Sequence, residues 1–262
     1  MLKLLLLSLL TSCAALKVDY KMPNHRFMDP ETRGTNVIKE RSWFILTQMS
    51  AAKELELSSV STNFVFPGET VSDNQAFSDS LMLGLQAGLG IMPFLDVHYR
   101  VDHDAPSMLI TKIQLLGGSV KDLSEGHKLA LWGGMGSMSE SDNLTISNGD
   151  GSIKRSYEGE LSVRAYEGGL SYGYRFSPIF MSYVNLVHAR FNANSMLTSP
   201  SNPTVIVRGM TNQNAANLGV KFGYSQRVYT HLELGYSMVE WRERERFKYD
   251  GMSFGATFGI GF

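Results

Sequence analysis

From about residue 79 onward, apolar side chains recur at every second position in one segment after another. In LMLGLQAGLGI, Leu81, Leu83, Leu85, Ala87, Leu89 and Ile91 fall on one face, and Met82, Gly84, Gln86, Gly88 and Gly90 on the other. FLDVHYRV sets Leu95, Val97, Tyr99 and Val101 against Asp96, His98 and Arg100. LITKIQLLG sets Leu109, Ile113 and Leu115 against Ile110, Lys112 and Gln114. NLGVKFGYS and HLELGYSMV repeat the scheme, with Lys221 on the polar face of one and His231 and Glu233 on that of the other. FGATFGIGF alternates Phe254, Ala256, Phe258, Ile260 and Phe262 with Gly255, Thr257, Gly259 and Gly261. A period of two marks an extended strand with two unlike faces.

The links between strands alternate in length. Short ones fall at Met92-Pro93, Ser177-Pro178 and Arg227-Val228, with a medium one at Lys121–Gly126. Longer ones fall at residues 67–76, 139–158 and 196–214. The clearest segments run to about 11 residues, enough to cross a bilayer at a tilt. The pattern predicts an all-β chain: a closed, antiparallel, up-and-down transmembrane β-barrel of about ten strands, with eight or twelve as alternatives. The strands are expected near 53–66, 79–91, 94–103, 107–117, 127–138, 159–176, 179–194, 214–226, 229–246 and 250–262. Leu161 to Phe176 changes its apolar parity midway, which predicts a β-bulge.

The C-terminal stretch resembles the C-terminal signature of bacterial outer-membrane proteins, alternating apolar residues ending in Phe. The resemblance implies that barrel-insertion machinery reads Phe258, Ile260 and Phe262, and that the barrel sits in a Gram-negative outer membrane. At the other end, MLKLLLLSLLTSC reads as an export signal over residues 1–13, with Lys3 before a short apolar core. Leu10-Thr11-Ser12-Cys13 resembles the bacterial lipobox, which implies lipidation of Cys13; ordinary signal cleavage is the alternative. Residues 14–50 are polar, with Pro23 and Pro30, and read as a periplasmic tail or linker with a short ordered piece around Trp43 to Met49. The barrel is expected over 51–262.

Composition narrows the picture further. Twenty-four Lys and Arg stand against 25 Asp and Glu, without the basic excess of a nucleic-acid binder. No stretch approaches 18 consecutive apolar residues, so the sequence offers no transmembrane helix. Cys13 is the only cysteine, so no disulfide forms within one chain.

The polar faces supply the candidate chemistry. Asp96, His98, Arg100, Lys112, Gln114, Lys221, His231 and Glu233 are expected in the lumen, clustered toward the short-turn end. An interior this narrow is filled largely by side chains. Charges buried there must pair. That predicts a salt-bridged internal plug, with a narrow conduit for small solutes as the alternative. In WRERERF, strand parity turns Arg242, Arg244 and Arg246 outward, above the lipid belt, and Trp241, Glu243 and Glu245 inward. Arginine suits bidentate phosphate contact, so these three are candidates for lipopolysaccharide binding. A charge ladder with neighbouring strands would use them equally well.

Enzymatic signatures are incomplete. Omptin proteases are ten-stranded outer-membrane barrels with Asp pairs and an Asp-His pair at the outer rim. Asp102-His103-Asp104 lies where such a site would begin, but no Asp-x-His follows in a later extracellular segment. Outer-membrane lipid A deacylases use His-x-Ser, which His188-Ala189-Arg190 does not supply. Asp142, Asn143, Asn148 and Asp150 could offer oxygens to Ca²⁺ but lack the EF-hand spacing. The expected function is therefore non-enzymatic, structural or surface-interacting, without metal or cofactor. The expected partners are outer-membrane lipid, lipopolysaccharide and the insertion machinery. A rim-site hydrolase is the remaining alternative, and the oligomeric state stays open.

Overall fold

The computed structural model describes residues 14–34, 42–61, 71–122, 124–147, 154–198, 204–223, 227–243 and 246–262. Among the described residues, eleven strands form one sheet: β1 (Ala14–Pro23), β2 (Trp43–Ser61), β3 (Val71–Met92), β4 (Leu95–Asp102), β5 (Ser107–Leu116), β6 (Gly126–Ser147), β7 (Lys154–Ser177), β8 (Phe180–Thr198), β9 (Val205–Gly223), β10 (Val228–Arg242) and β11 (Arg246–Gly261). Every neighbouring pair is antiparallel, and β2 pairs with both β3 and β11. Strands β2 to β11 thus close an up-and-down ring of ten, and β1 is an eleventh strand added to β2. The ring closes from Gly255↔Ser50 to Gly261↔Phe44, and Phe262 N–H donates to the Trp43 carbonyl at 2.7 Å. Closure satisfies backbone groups that an open edge would leave unpaired.

Alternation explains the wall. Leu83, Leu109, Leu186, Leu218, Leu234 and Phe254 are exposed on the outside, while Gln86, Lys112, Asn185, Asn217, Glu233 and Ser253 on the same strands are buried. Soluble proteins do not leave such a continuous apolar belt facing water.

The structure corrects three expectations about the strands of the wall. The first strand of the ring begins at Trp43, ten residues before the expected start at 53. Phe44 and Leu46 point inward and Trp43 and Ile45 outward, so both faces are apolar there and the polar alternation is lost. The links expected to be long are largely strand: β6 reaches Ser147, β7 starts at Lys154 and β9 at Val205. Far from the short turns the strands carry polar residues outside, so composition alone reads as loop. Finally, β7 has no bulge between Leu161 and Phe176; its register to β6 and β8 is unbroken there up to Arg175. The parity switch has another cause. Leu161, Val163 and Ala165 point inward, and so do Glu167, Ser171 and Arg175. The side facing in stays the same, and its chemistry reverses.

The largest departure concerns residues 14–34, read from sequence as tail or linker. Ala14–Pro23 pair with β2 from Ser61 down to Ala52, and every residue from Met22 to Gly34 is buried. This stretch lines up inside the ring and runs through it toward the short-turn end. Beyond Ser50, β2 leaves β11 and takes β1 as its new neighbour. Side chains of β3 instead reach across to β11 and to the link before it. Phe77 packs tilted against Phe247 at 4.9 Å, Tyr249 donates to Asp79 at 2.7 Å, and Gln75 donates to Glu243 at 2.7 Å.

The lumen as candidate functional site

The eight wall residues expected inside are all buried, at 6 % exposure or less. They do not form one cluster. Residues 24–34, absent from the sequence-derived site, sort them into three groups.

At the short-turn end, two carboxylates from the inner segment gather charge from the wall. Asp29 lies 2.5 Å from Lys221 Nζ, 3.4 Å from Lys112 Nζ and 3.2 Å from His231 Nε2. Glu31 pairs with Arg175, lies 3.3 Å from Lys221 and 3.9 Å from Lys128. Lys112 also lies 3.6 Å from Asp96, which accepts the Arg33 backbone N–H at 3.0 Å. Lys112 comes from β5 and Lys221 from β9, on opposite walls of the ring, so Asp29 spans the lumen. Thr32 N–H donates to Gln114 at 2.8 Å, and His98 meets Gln86 at 2.6 Å. The Arg33 guanidinium lies over the Tyr229 ring at 4.0 Å and near the Phe44 ring at 4.7 Å.

The second group surrounds Glu233, which accepts from Tyr183 at 2.9 Å and Asn185 at 3.0 Å and meets His25 Nδ1 at 3.1 Å. The third is midway along the barrel. Arg100 contacts Glu167 at 3.0 Å and Asp102 at 2.8 Å, and Arg26 of the inner segment donates to the same Glu167 at 2.8 Å and to Gln213 at 3.0 Å. Ions this deep need matched partners, and the carboxylates and cations alternate accordingly.

Above these groups the filling is apolar. Val18, Tyr20 and Met22 of β1 pack with Leu55, Leu57, Val163, Phe191, Val239 and Trp241 in one buried cluster. Tyr20 keeps its hydroxyl paired with Thr211 at 2.7 Å. Glycines make the seat for the segment. A β-carbon at Gly90 would stand 2.4 Å from the Gly34 nitrogen, and one at Gly255 2.6 Å from the Phe27 ring.

The remaining candidates separate. Asp102 points inward to Arg100 and Gln48, whereas His103 is solvent-facing and lies 3.2 Å from Asp104, itself 3.1 Å from Lys21. His188 faces outward and meets Asn214 at 2.9 Å. Arg242 is outward and pairs with Glu240 at 2.7 Å; Arg246 stands opposite it on β11 and is exposed. Phe258, Ile260 and Phe262 are exposed on the outer face of the closing strand. Of the possible Ca²⁺ group, Asp142 and Asn143 lie on the outer part of β6. Cys13, Arg244, Glu245, Asn148 and Asp150 lie outside the described residues. Residues missed from sequence include Arg26, Asp29, Glu31, Lys128, Glu167 and Arg175. The wall cations Lys112 and Lys221, facing too few wall carboxylates, were the one signal that something else enters.

No protein-family model matches the chain, and no curated protein does. Solved structures with a related outline include Ail, the attachment invasion locus protein of Yersinia pestis, at 8 % identity and a TM-score of 0.32, covering 85 % of this chain and 98 % of that one. The outer-membrane protease OmpT of Escherichia coli aligns at 12 % identity and 0.36, over 89 % and 99 %. The monoaromatic hydrocarbon channel TodX aligns at 10 % and 0.27, over 85 % and 89 %.

Proposed function

We propose that this chain is a non-enzymatic outer-membrane β-barrel protein, structural or surface-interacting in role, whose lumen is closed by its own residues 14–34. The observation that carries the reading is Asp29, held between Lys112 and Lys221 of opposite walls. A segment fixed by ion pairs to both sides leaves solute no continuous path. The outward apolar belt and the closed ring support a membrane setting. The inward turn of Asp102 supports a non-catalytic rim, because its carboxylate already serves Arg100.

Planar-bilayer recording tests it. The wild-type protein is expected to give no stable conductance, and a variant lacking residues 18–34 is expected to give discrete channels. Steady ion-selective steps from the wild type would overturn the reading in favour of a narrow channel. Lipidation at Cys13 is part of the same proposal. Mass spectrometry of the mature protein should find acyl chains there, and Cys13→Ala should abolish them.

A further inference from the structure

We infer that the outer face of strands β7 to β11 carries a binding site for the phosphates of a bis-phosphorylated, acylated glycolipid of the lipid A type. The site lies where the apolar belt ends. Cross-strand register places Arg164, Asn192, Met210, Arg242 and Arg246 in one row across the five strands. Arg190 lies two residues nearer the short turns and Arg208 two residues farther away. All five arginines face outward and are exposed. Four of them, with Asn192 and Asn194, line a surface depression of about 610 Å³.

Two features suit this depression to an anionic ligand. Arg190 Nε donates to Asn192 at 3.2 Å and Arg208 Nε to Asn194 at 3.1 Å, which restrains both guanidinium groups at the lining of the depression and uses only the Nε of each. Among the described residues, Arg242 is the one member of the five in an ion pair, with Glu240. Unneutralised guanidinium groups held side by side repel one another, and an oxyanion able to accept bidentate bonds relieves that.

The dimensions select the ligand class. Four residues along a strand and four inter-strand steps make the patch about 13 Å by 19 Å. One phosphate engages one or two arginines, so a patch of this size calls for more than one phosphate on a single head group. The position selects an amphiphile. Leu186, Ala216, Tyr236 and Met252 form a row four residues below Arg190, at the top of the apolar belt. Acyl chains hung from a head group on the arginines would lie along these side chains. This inference rests on the membrane part of the proposed function, and it is independent of whether the lumen conducts.

Detergent-solubilised full-length protein, titrated with purified lipids and read by native mass spectrometry, tests it. Bis-phosphorylated lipid A should bind at least about tenfold more tightly than its monophosphoryl form, the scale of one lost charge-assisted contact. Phosphatidylglycerol and inorganic phosphate should bind more weakly still. The double variant R190Q/R208Q should lose about tenfold for lipid A while keeping the heat-modifiable gel migration of a folded barrel, and R190K/R208K should fall between. Equal binding of phosphatidylglycerol and lipid A would overturn the proposal, because general charge attraction would then suffice. So would unchanged lipid A affinity in the Gln variant. If that variant fails to fold, the comparison of the two lipid A forms on the wild type still decides.

Discussion

The same strands build two opposite environments. In the short-turn half of β8, Val184 and Leu186 face out while Tyr183 and Asn185 face in. In its far half, Arg190 and Asn194 face out while Ala189, Phe191 and Ala193 face in. β7 reverses the same way, from Arg175 and Ser171 inside to Val163 and Leu161 inside. The register and the inward parity run unbroken across the change, so the surroundings account for it. Where the wall meets hydrocarbon, apolar side chains are free to face out and the interior must satisfy its polar groups by pairing. Where the wall meets water, the interior becomes an ordinary hydrophobic core. The inner segment conforms to both: Val18, Tyr20 and Met22 sit in the apolar half, and Arg26, Asp29 and Glu31 in the ionic half.

The largest expected effect comes from breaking the ionic half at its most shared point. Glu167 receives both Arg26 and Arg100, at 2.8 Å and 3.0 Å. Glu167→Gln keeps the shape and removes the charge, leaving two buried guanidinium groups with Asp102 as their remaining nearby carboxylate. The cost should be about 3–5 kcal/mol, read from the urea midpoint of the protein in micelles. A loss below about 1 kcal/mol would mean that water reaches Glu167 and that this half is not packed.

The apolar half should break through volume instead of charge. Trp241 is fully buried and packs against Gly209, where an added β-carbon would stand 2.1 Å from its ring. Trp241→Ala leaves a cavity and should cost about 3 kcal/mol in the same assay. The two variants are far enough apart in kind that their effects should add. Strong non-additivity would mean that the halves fold as one coupled unit.

How much of this was legible in the sequence follows from the same contrast. Leu81 to Ile91 and Leu232 to Met238 declared their strands because lipid on one side and paired polar groups on the other give unlike faces. Asp96, Lys112 and Glu233 followed from parity. The far half was obscure because its order is inverted: Leu161 and Val163 carry the apolar face to the inside, so the strand looked kinked at the crossing. Residues 24–34 were obscure for a different reason. NHRFMDPETRG has no period, since an irregular segment meets a different partner at each residue. Its local pattern is that of a polar linker, and its fixed position depends on Lys112, Arg175 and Lys221, far away in sequence. Side-chain identity in such a segment records the cavity, not the strand.

The smallest expected effects compare two outward positions on one strand, and they locate the boundary itself. Leu186 and Asn194 both face out from β8, eight residues apart. Leu186→Arg puts a cation into the belt, where the midplane cost is about 2–4 kcal/mol and falls toward the interface. Because Leu186 stands near the top of the belt, about 1 kcal/mol is expected for the protein folded into lipid vesicles. Asn194→Arg places the same side chain among Arg190 and Arg208, in contact with head groups and water. There the hydrophobic penalty vanishes and weak repulsion remains, so stability should change by no more than about 0.5 kcal/mol. The difference between the variants should disappear in urea titrations of micelles too small to impose a flat hydrocarbon slab, and persist in vesicles. If both substitutions cost the same in vesicles, the belt does not end between these two residues, and the reversal of β8 would have to be explained by packing within the barrel alone.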